Sequence, residues 1–135
     1  MRSVEIEVDA ARREIVDLTD RIAGFVQESG TNEGLANVWV PHATAGLCVL
    51  EVGAGSEEDL RQALERLLPK DDRYAHRHGS RGHGADHLLP LLAGPSLTVP
   101  VVGGRLALGT WQSICLVDRN ADNPRRRVRV SLLEG

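Results

Sequence analysis

Hydrophobic and polar residues alternate along residues 2 to 8, where Val4, Ile6 and Val8 interleave with Glu5 and Glu7. A period of two places the aliphatic set on one face of a β-strand. Arg13 to Asp17 reads as a second short strand. After Thr19 the period becomes helical. Ile22, Phe25 and Val26 share one face over Asp20 to Glu28, with Thr19 as N-cap and Gly30 as stop. Leu35 to Val40 and Gly46 to Val52 are the third and fourth strands. Ser56-Glu57-Glu58-Asp59 then resembles a capping box with Asp in place of the longer Glu. Behind it Leu60, Ala63, Leu64, Leu67 and Leu68 recur at helical spacing until Pro69. A glycine-rich loop leads into a short helix around Asp86 to Leu92, closed by Gly94-Pro95. The strands Leu97 to Val101, Arg105 to Leu108 and Gln112 to Asp118 follow, the first two joined by a Gly103-Gly104 turn, and the last strand runs from Arg127 to Leu132.

Strands outnumber helices and short links dominate the second half, which predicts an α+β fold with a largely antiparallel sheet or sandwich and two or three helices. A chain of 135 residues suits one core, so residues 1–135 read as a single domain. Aromatics make up 3% of the residues, which leaves Val, Leu, Ile and Ala to build that core. A net charge of -3 gives no general attraction for phosphate backbones, and no nucleic-acid partner is expected. No apolar run approaches the ~20 residues that span a bilayer. With a strand pattern at the N-terminus, the expectation is a cytoplasmic protein with no membrane partner. Cys48 and Cys115 sit in apolar strands and read as buried free thiols.

Candidate chemistry concentrates in the histidines. The chain has five, and four lie within His76-Arg77-His78-Gly79-Ser80-Arg81-Gly82-His83-Gly84-Ala85-Asp86-His87. Imidazole is the commonest neutral metal ligand and the side chain best suited to proton transfer near pH 7. His83 and His87 are four apart, on one face if the segment is helical, although Gly82 and Gly84 place His83 before the helix, at its cap. His87 is the better ligand; His76 and His78, each taken alone, read as solvated. The fifth histidine, His42, stands where a strand meets a tight segment, in either a functional or a structural role. Asp86 and Glu51 are carboxylates that suit a mixed ligand shell or its outer support, and Asp86 equally suits a solvated or capping role. Arg77 and Arg81, beside the loop amides, offer a cradle for phosphate. The run Arg125-Arg126-Arg127-Val128-Arg129 reads as an exposed edge or a face that pairs with acids.

Three segments carry a resemblance: Val40-Pro41-His42-Ala43-Thr44-Ala45-Gly46, Leu97-Thr98-Val99-Pro100-Val101 and Gly104-Arg105-Leu106-Ala107-Leu108-Gly109-Thr110-Trp111-Gln112. Together they resemble the YjbQ family of small bacterial and archaeal proteins, also named the secondary thiamine-phosphate synthase family. The resemblance covers nearly the whole chain, and the last motif is highly specific. It implies a YjbQ-like α+β fold assembled as a homotrimer, with the site near subunit boundaries. It also implies a metal or anion site around His42 and His87, with His76 of Tyr74-Ala75-His76 as third ligand and Glu51 at the matching acidic position. On that basis His42, His76, His87 and Glu51 are the expected catalytic residues, and Arg77, Arg81 and Thr44 the expected binders of a phosphorylated group. The chain departs from the family pattern at Ala43, at Leu50-Glu51-Val52 and at His83, which replaces an asparagine.

The activity so implied joins a pyrimidine diphosphate to a thiazole phosphate with loss of pyrophosphate. A divalent ion would stabilise that leaving group. Zinc is the expected metal for a three-histidine shell, with magnesium or manganese as the harder ions suited to pyrophosphate. This mismatch marks the synthase chemistry as a side activity. Two other readings use the same histidines: a metal-dependent hydrolase of a small phosphorylated metabolite, with His83 or Glu51 as proton carrier, and a noncatalytic module that binds such a metabolite.

Overall fold

The computed structural model describes residues 1–11 and 13–135. Its elements run β1 (Arg2–Asp9), β2 (Ile15–Asp17), α1 (Thr19–Ser29), β3 (Gly34–Trp39), β4 (Ala45–Leu50), α2 (Ser56–Leu67), α3 (His83–Asp86), a 3-10 turn (Leu89–Leu91), β5 (Ser96–Val102), β6 (Arg105–Leu106), β7 (Ser113–Asp118) and β8 (Arg125–Glu134). The strands form a five-stranded sheet in the order β1-β8-β3-β5-β6 and a three-stranded sheet β2-β7-β4. Every pairing is antiparallel. The fold is thus the single-domain α+β arrangement that the periodicity predicts.

Alternation fixes which face of each strand is buried. Ile6 and Val8 of β1, Val38 of β3 and Val128 and Val130 of β8 meet Leu47 of β4 and Ile114 and Leu116 of β7 in one aliphatic core between the sheets. Leu18 and Ile22 seal its end. The register sets Glu5 opposite Arg129 and Glu7 opposite Arg127 on the outer face. A slip of one residue would drive those charges into the core, so charge and hydrophobicity specify the same pairing. Val26 of α1 closes over Ala36, Val101 and Leu132 at the other end of the large sheet. On the far side of β7, Val117 packs with Leu64 and Leu68 of α2, Ala85 of α3, Leu89 and Ala93. This second cluster carries the histidine segment.

Several boundaries differ from the periodic reading, each for a local reason. Thr19 lies inside α1 and its hydroxyl accepts a hydrogen bond from the Ile114 N–H at 2.8 Å, so Leu18 is the N-cap. Ser56 begins α2 behind Gly55, and Glu57, rather than Asp59, reaches back to the Gly53 N–H at 3.0 Å. The helix expected over Asp86 to Leu92 is instead α3 followed by the 3-10 turn, in which Pro90 lacks the N–H to continue a helical ladder. The arginine-rich strand is not an edge: β8 pairs with β1 on one side and β3 on the other. Its acid-pairing role does hold, in Arg129 with Glu5 at 3.9 Å and in the buried pair of Arg126 with Asp118. Among the described residues no helix is long and apolar enough to cross a membrane.

Candidate metal centre

Gly82, at φ 75°, sets the chain into α3, and His87 closes it in helical geometry. His83 is therefore the first residue of the helix rather than a residue before it. The four-residue spacing brings His83 and His87 to one face, with their Nε2 atoms 3.0 Å apart. The preceding segment lies against that face. The His76 ring centroid is 4.0 Å from that of His87 and 4.0 Å from that of His78. Gly84 makes this approach possible, because a Cβ there would stand 2.5 Å from Tyr74 Cβ and 2.6 Å from the His76 carbonyl oxygen. As a result His76, His78, His83 and His87 each present a ligand nitrogen within 4.8 Å of the others. His83 is buried, His76 and His87 are half-buried, and His78 is exposed.

Charged groups surround the buried side. Asp86 has no exposed surface, and its Oδ2 accepts a hydrogen bond from Lys70 Nζ at 3.0 Å. Lys70 Nζ also donates to the Arg119 carbonyl at 2.9 Å. The solvated or capping role allowed for Asp86 gives way to a buried ion pair. His83 Nδ1 lies 3.1 Å from Asp122 Oδ2 and 3.6 Å from Asp86 Oδ2. Asp122 itself accepts from the Ser80 N–H at 3.0 Å and the Ser80 hydroxyl at 3.1 Å. The Ser80 amide, then its hydroxyl and the nearby His83 and Lys70, hold the Asp122 carboxyl below its usual range.

The donor set fits a divalent transition metal. Burial, followed by the neighbouring imidazoles, lowers the pKa of His76 and of His87, which keeps both in the neutral form that ligates. Zinc–nitrogen bonds of about 2.0–2.1 Å separate tetrahedral ligand atoms by roughly 3.3 Å. The His83–His87 separation is close to that. His76 Nε2 and Asp86 Oδ1 are buried without a hydrogen-bond partner, and His83 Nδ1 has only the unaligned contact with Asp122. A buried polar atom left without a partner costs about 1–3 kcal/mol, which an ion or ordered solvent beside His76 would offset.

The single chain does not bring His42 to this cluster. His42 follows β3 and reaches the start of β8, where its Nε2 accepts the Arg127 N–H at 2.9 Å. Its pKa is lowered by burial and then by Arg126 and Arg127, against a smaller opposing effect of Asp118. Thr44 stands nearby in the sequence but serves the buried pair: its hydroxyl accepts from Arg126 Nη2 at 2.8 Å and from Asn120 Nδ2 at 3.2 Å. Glu51 is exposed beyond the end of β4. Arg77 and Arg81 are exposed on the histidine loop, where Arg77 Nε donates to the Tyr74 carbonyl at 2.9 Å and Arg81 lies 3.8 Å from Asp72. Within the single chain His42 and Glu51 thus lie away from His76 and His87, beside which stand His78 and His83. Arg125, Arg126 and Arg127 line a cleft of about 490 Å³ with Glu7, Val8 and Asp9, whose mixed charge gives a phosphate no single-sign surface. Sequence reasoning missed Lys70, which lies shortly before the histidine segment, and Asp122, which is remote from it in the chain.

A family model described as UPF0047 protein YjbQ-like matches residues 4–135. The chain belongs to the YjbQ/UPF0047 family. Within the family it is 63% identical over 130 residues to a UPF0047 protein of Mycobacterium tuberculosis, a match covering 96% of each chain. It is 34% identical over 119 residues to the UPF0047 protein YugU of Bacillus subtilis, covering 86% of each. Among solved structures, a YbjQ-like protein from Sulfolobus solfataricus superposes with a TM-score of 0.91 at 29% identity, covering 99% of this chain and 97% of that one. A hypothetical protein from Aeropyrum pernix K1 gives a TM-score of 0.90 at 32% identity over 100% of both chains. YjbQ membership accounts for the fold.

Proposed function

We propose that this YjbQ-family protein binds a divalent transition metal, zinc foremost, through His76, His78, His83 and His87, and acts there on a small phosphorylated metabolite. The observation that carries this reading is the convergence of four imidazole nitrogens within 4.8 Å around buried atoms that lack partners. A shell of neutral imidazoles favours zinc over magnesium, which prefers oxygen ligands. A metal held there supplies Lewis acidity to a phosphoryl oxygen. The chain's own residues do the rest: exposed His78 lies on the open side, where a substrate approaches, and the guanidinium groups of Arg77 and Arg81 attract the phosphate. Thiamine-phosphate synthase chemistry and phosphoester hydrolysis are the two reactions of this class to assay first.

Exposed apolar residues support assembly into the expected homotrimer. Trp111 is 72% exposed and Leu91 80%, a cost in water that burial against another copy removes. Sedimentation equilibrium should return three times the chain mass; a monomer at micromolar concentration overturns the trimer.

The deciding experiment titrates untagged, chelator-stripped protein with zinc against a chromophoric competitor, then supplies phosphorylated substrates. Binding of one zinc per chain that fails in His83→Ala and His87→Ala supports the centre. No zinc uptake by the wild type ends it.

A further inference from the structure

We infer that Asp122 is the positioning residue of the histidine centre: its carboxylate fixes the Nδ1–H tautomer of His83 and so aims the Nε2 lone pair into the cluster. The inference rests on the metal-binding reading for its consequence but on the geometry of the chain alone for its cause. His83 Nδ1 has two neighbouring acceptors. Asp122 Oδ2, which also accepts both Ser80 donors, is the nearer at 3.1 Å and acts on Nδ1 by its charge, the contact being out of line for a hydrogen bond. Asp86 Oδ2 lies at 3.6 Å and is engaged by Lys70 at 3.0 Å. A bare lone pair on Nδ1 facing two carboxylate oxygens would be repelled, so the proton belongs on Nδ1. His83 Nε2 is then the acceptor in its 3.0 Å contact with His87 Nε2, which assigns the donor role to His87. A carboxylate behind the distal nitrogen of a ligating histidine sets its tautomer and raises its basicity.

Asp122 is itself held in place. Its N–H donates to Asn120 Oδ1 at 3.0 Å, the Asn120 N–H donates to Asp118 Oδ1 at 2.9 Å, and the Asn120 amide donates to Thr44 Oγ1 at 3.2 Å. The turn after β7 is thereby fastened to the buried Asp118–Arg126 pair. At its tip the same Oδ2 that faces His83 accepts both Ser80 donors, which ties down the loop carrying His78. Gly79 leaves room for this carboxylate: at φ 81°, a Cβ there would stand 2.6 Å from Asp122 Oδ2 and 3.1 Å from His83 Cγ. A side chain from the turn after β7 thus orients a ligand of the α3 segment.

The test compares wild type with Asp122→Asn, Asp122→Glu and Ser80→Ala by two readouts. The first is the ¹⁵N spectrum of His83 in metal-free protein; the wild type should show the Nδ1–H tautomer and Asp122→Asn a mixture. The second is zinc affinity together with the visible spectrum of the cobalt-substituted protein. Asp122→Asn should bind about 10- to 100-fold more weakly with a shifted cobalt spectrum, and Asp122→Glu should recover part of both. Ser80→Ala, which loosens the loop but keeps the carboxylate, should leave the His83 tautomer unchanged. An unchanged tautomer in Asp122→Asn, or wild-type zinc affinity and cobalt spectrum in that variant, overturns the inference. If the wild type takes up no metal, the metal reading falls, and the tautomer spectrum alone decides the role of Asp122.

Discussion

The Nε2 atoms of His83 and His87 face one another at 3.0 Å across one turn of α3. Two imidazoles in that contact share one proton, and a metal that takes both Nε2 lone pairs requires that proton to move to the Nδ1 of its ring. Zinc binding should therefore release little proton at pH 8, where the imidazoles are neutral, and progressively more as the pH falls below about 6.5, measured as a buffer-dependent heat in calorimetry. His87→Ala should weaken zinc by more than about 100-fold, or over ~2.7 kcal/mol. His78→Ala, at the exposed corner, should weaken it less. Equal losses in both variants would contradict the division into an anchored set and an open corner.

His42→Ala should keep wild-type zinc affinity, since His42 is engaged with the Arg127 N–H and stands outside the cluster. Loss of zinc in this variant would show that the metal site draws on more than one chain.

Burial and neighbouring cationic groups lower the pKa of His42, His76 and His87 from the ordinary 6.5. In the unfolded chain these groups take up protons from pH 7 downwards; in the folded state they resist until a lower pH. The unfolded state thus binds more protons in that window, and stability rises with pH across it. Thermal melts in chelator should be flat above about pH 7.5, fall as the pH drops through 6.5 and level off once the folded-state values are passed. A melting temperature that is constant from pH 8 to 5 would count against these shifts.

The architecture was legible because aliphatic alternation and helical spacing are local signals; all the strands and the two long helices fall close to their expected places. The site was less so. Gly82 and Gly84 argue locally against helix, yet Gly82 supplies the turn into α3 and Gly84 the space for Tyr74. No periodicity reports such close approach. His78 reads as solvated from its charged surroundings, and only the fold shows it beside His76. Asp122 reaches the cluster from the turn after β7, and a pairing of that kind leaves no mark on local spacing.

Gly84→Ala tests the close approach directly. The added methyl must displace Tyr74 or the His76 carbonyl, at a cost typical of overpacking, about 1–3 kcal/mol in urea unfolding. Zinc affinity should fall with it, because α3 can no longer rest against His76. A variant with wild-type stability would contradict the packing.

The Asp118–Arg126 pair is sealed, with Asp118 and Arg126 each 3% exposed. Removing one partner strands the other, so Asp118→Ala or Arg126→Met should cost about 3–5 kcal/mol, whereas exposed Arg129→Ala should cost less than about 1 kcal/mol.

Cys48 and Cys115 face each other across β4 and β7, and burial pushes the Cys115 thiol up to about 12 and raises that of Cys48. Thiolate is the reactive form. A disulfide reagent at pH 8 should leave both thiols of the folded protein largely unmodified and titrate both after denaturation.

Strand β8 lies between β1 and β3, so the large sheet lacks its middle until that late segment arrives. Joining β1 to β8 closes a loop of almost the whole chain, a slow event in folding, whereas the histidines lie close together in sequence and need only local closure. If the cluster binds zinc as proposed, the metal can therefore meet it during synthesis before the sheet exists. Refolding started with zinc present should show the histidine segment protected from hydrogen exchange ahead of β1.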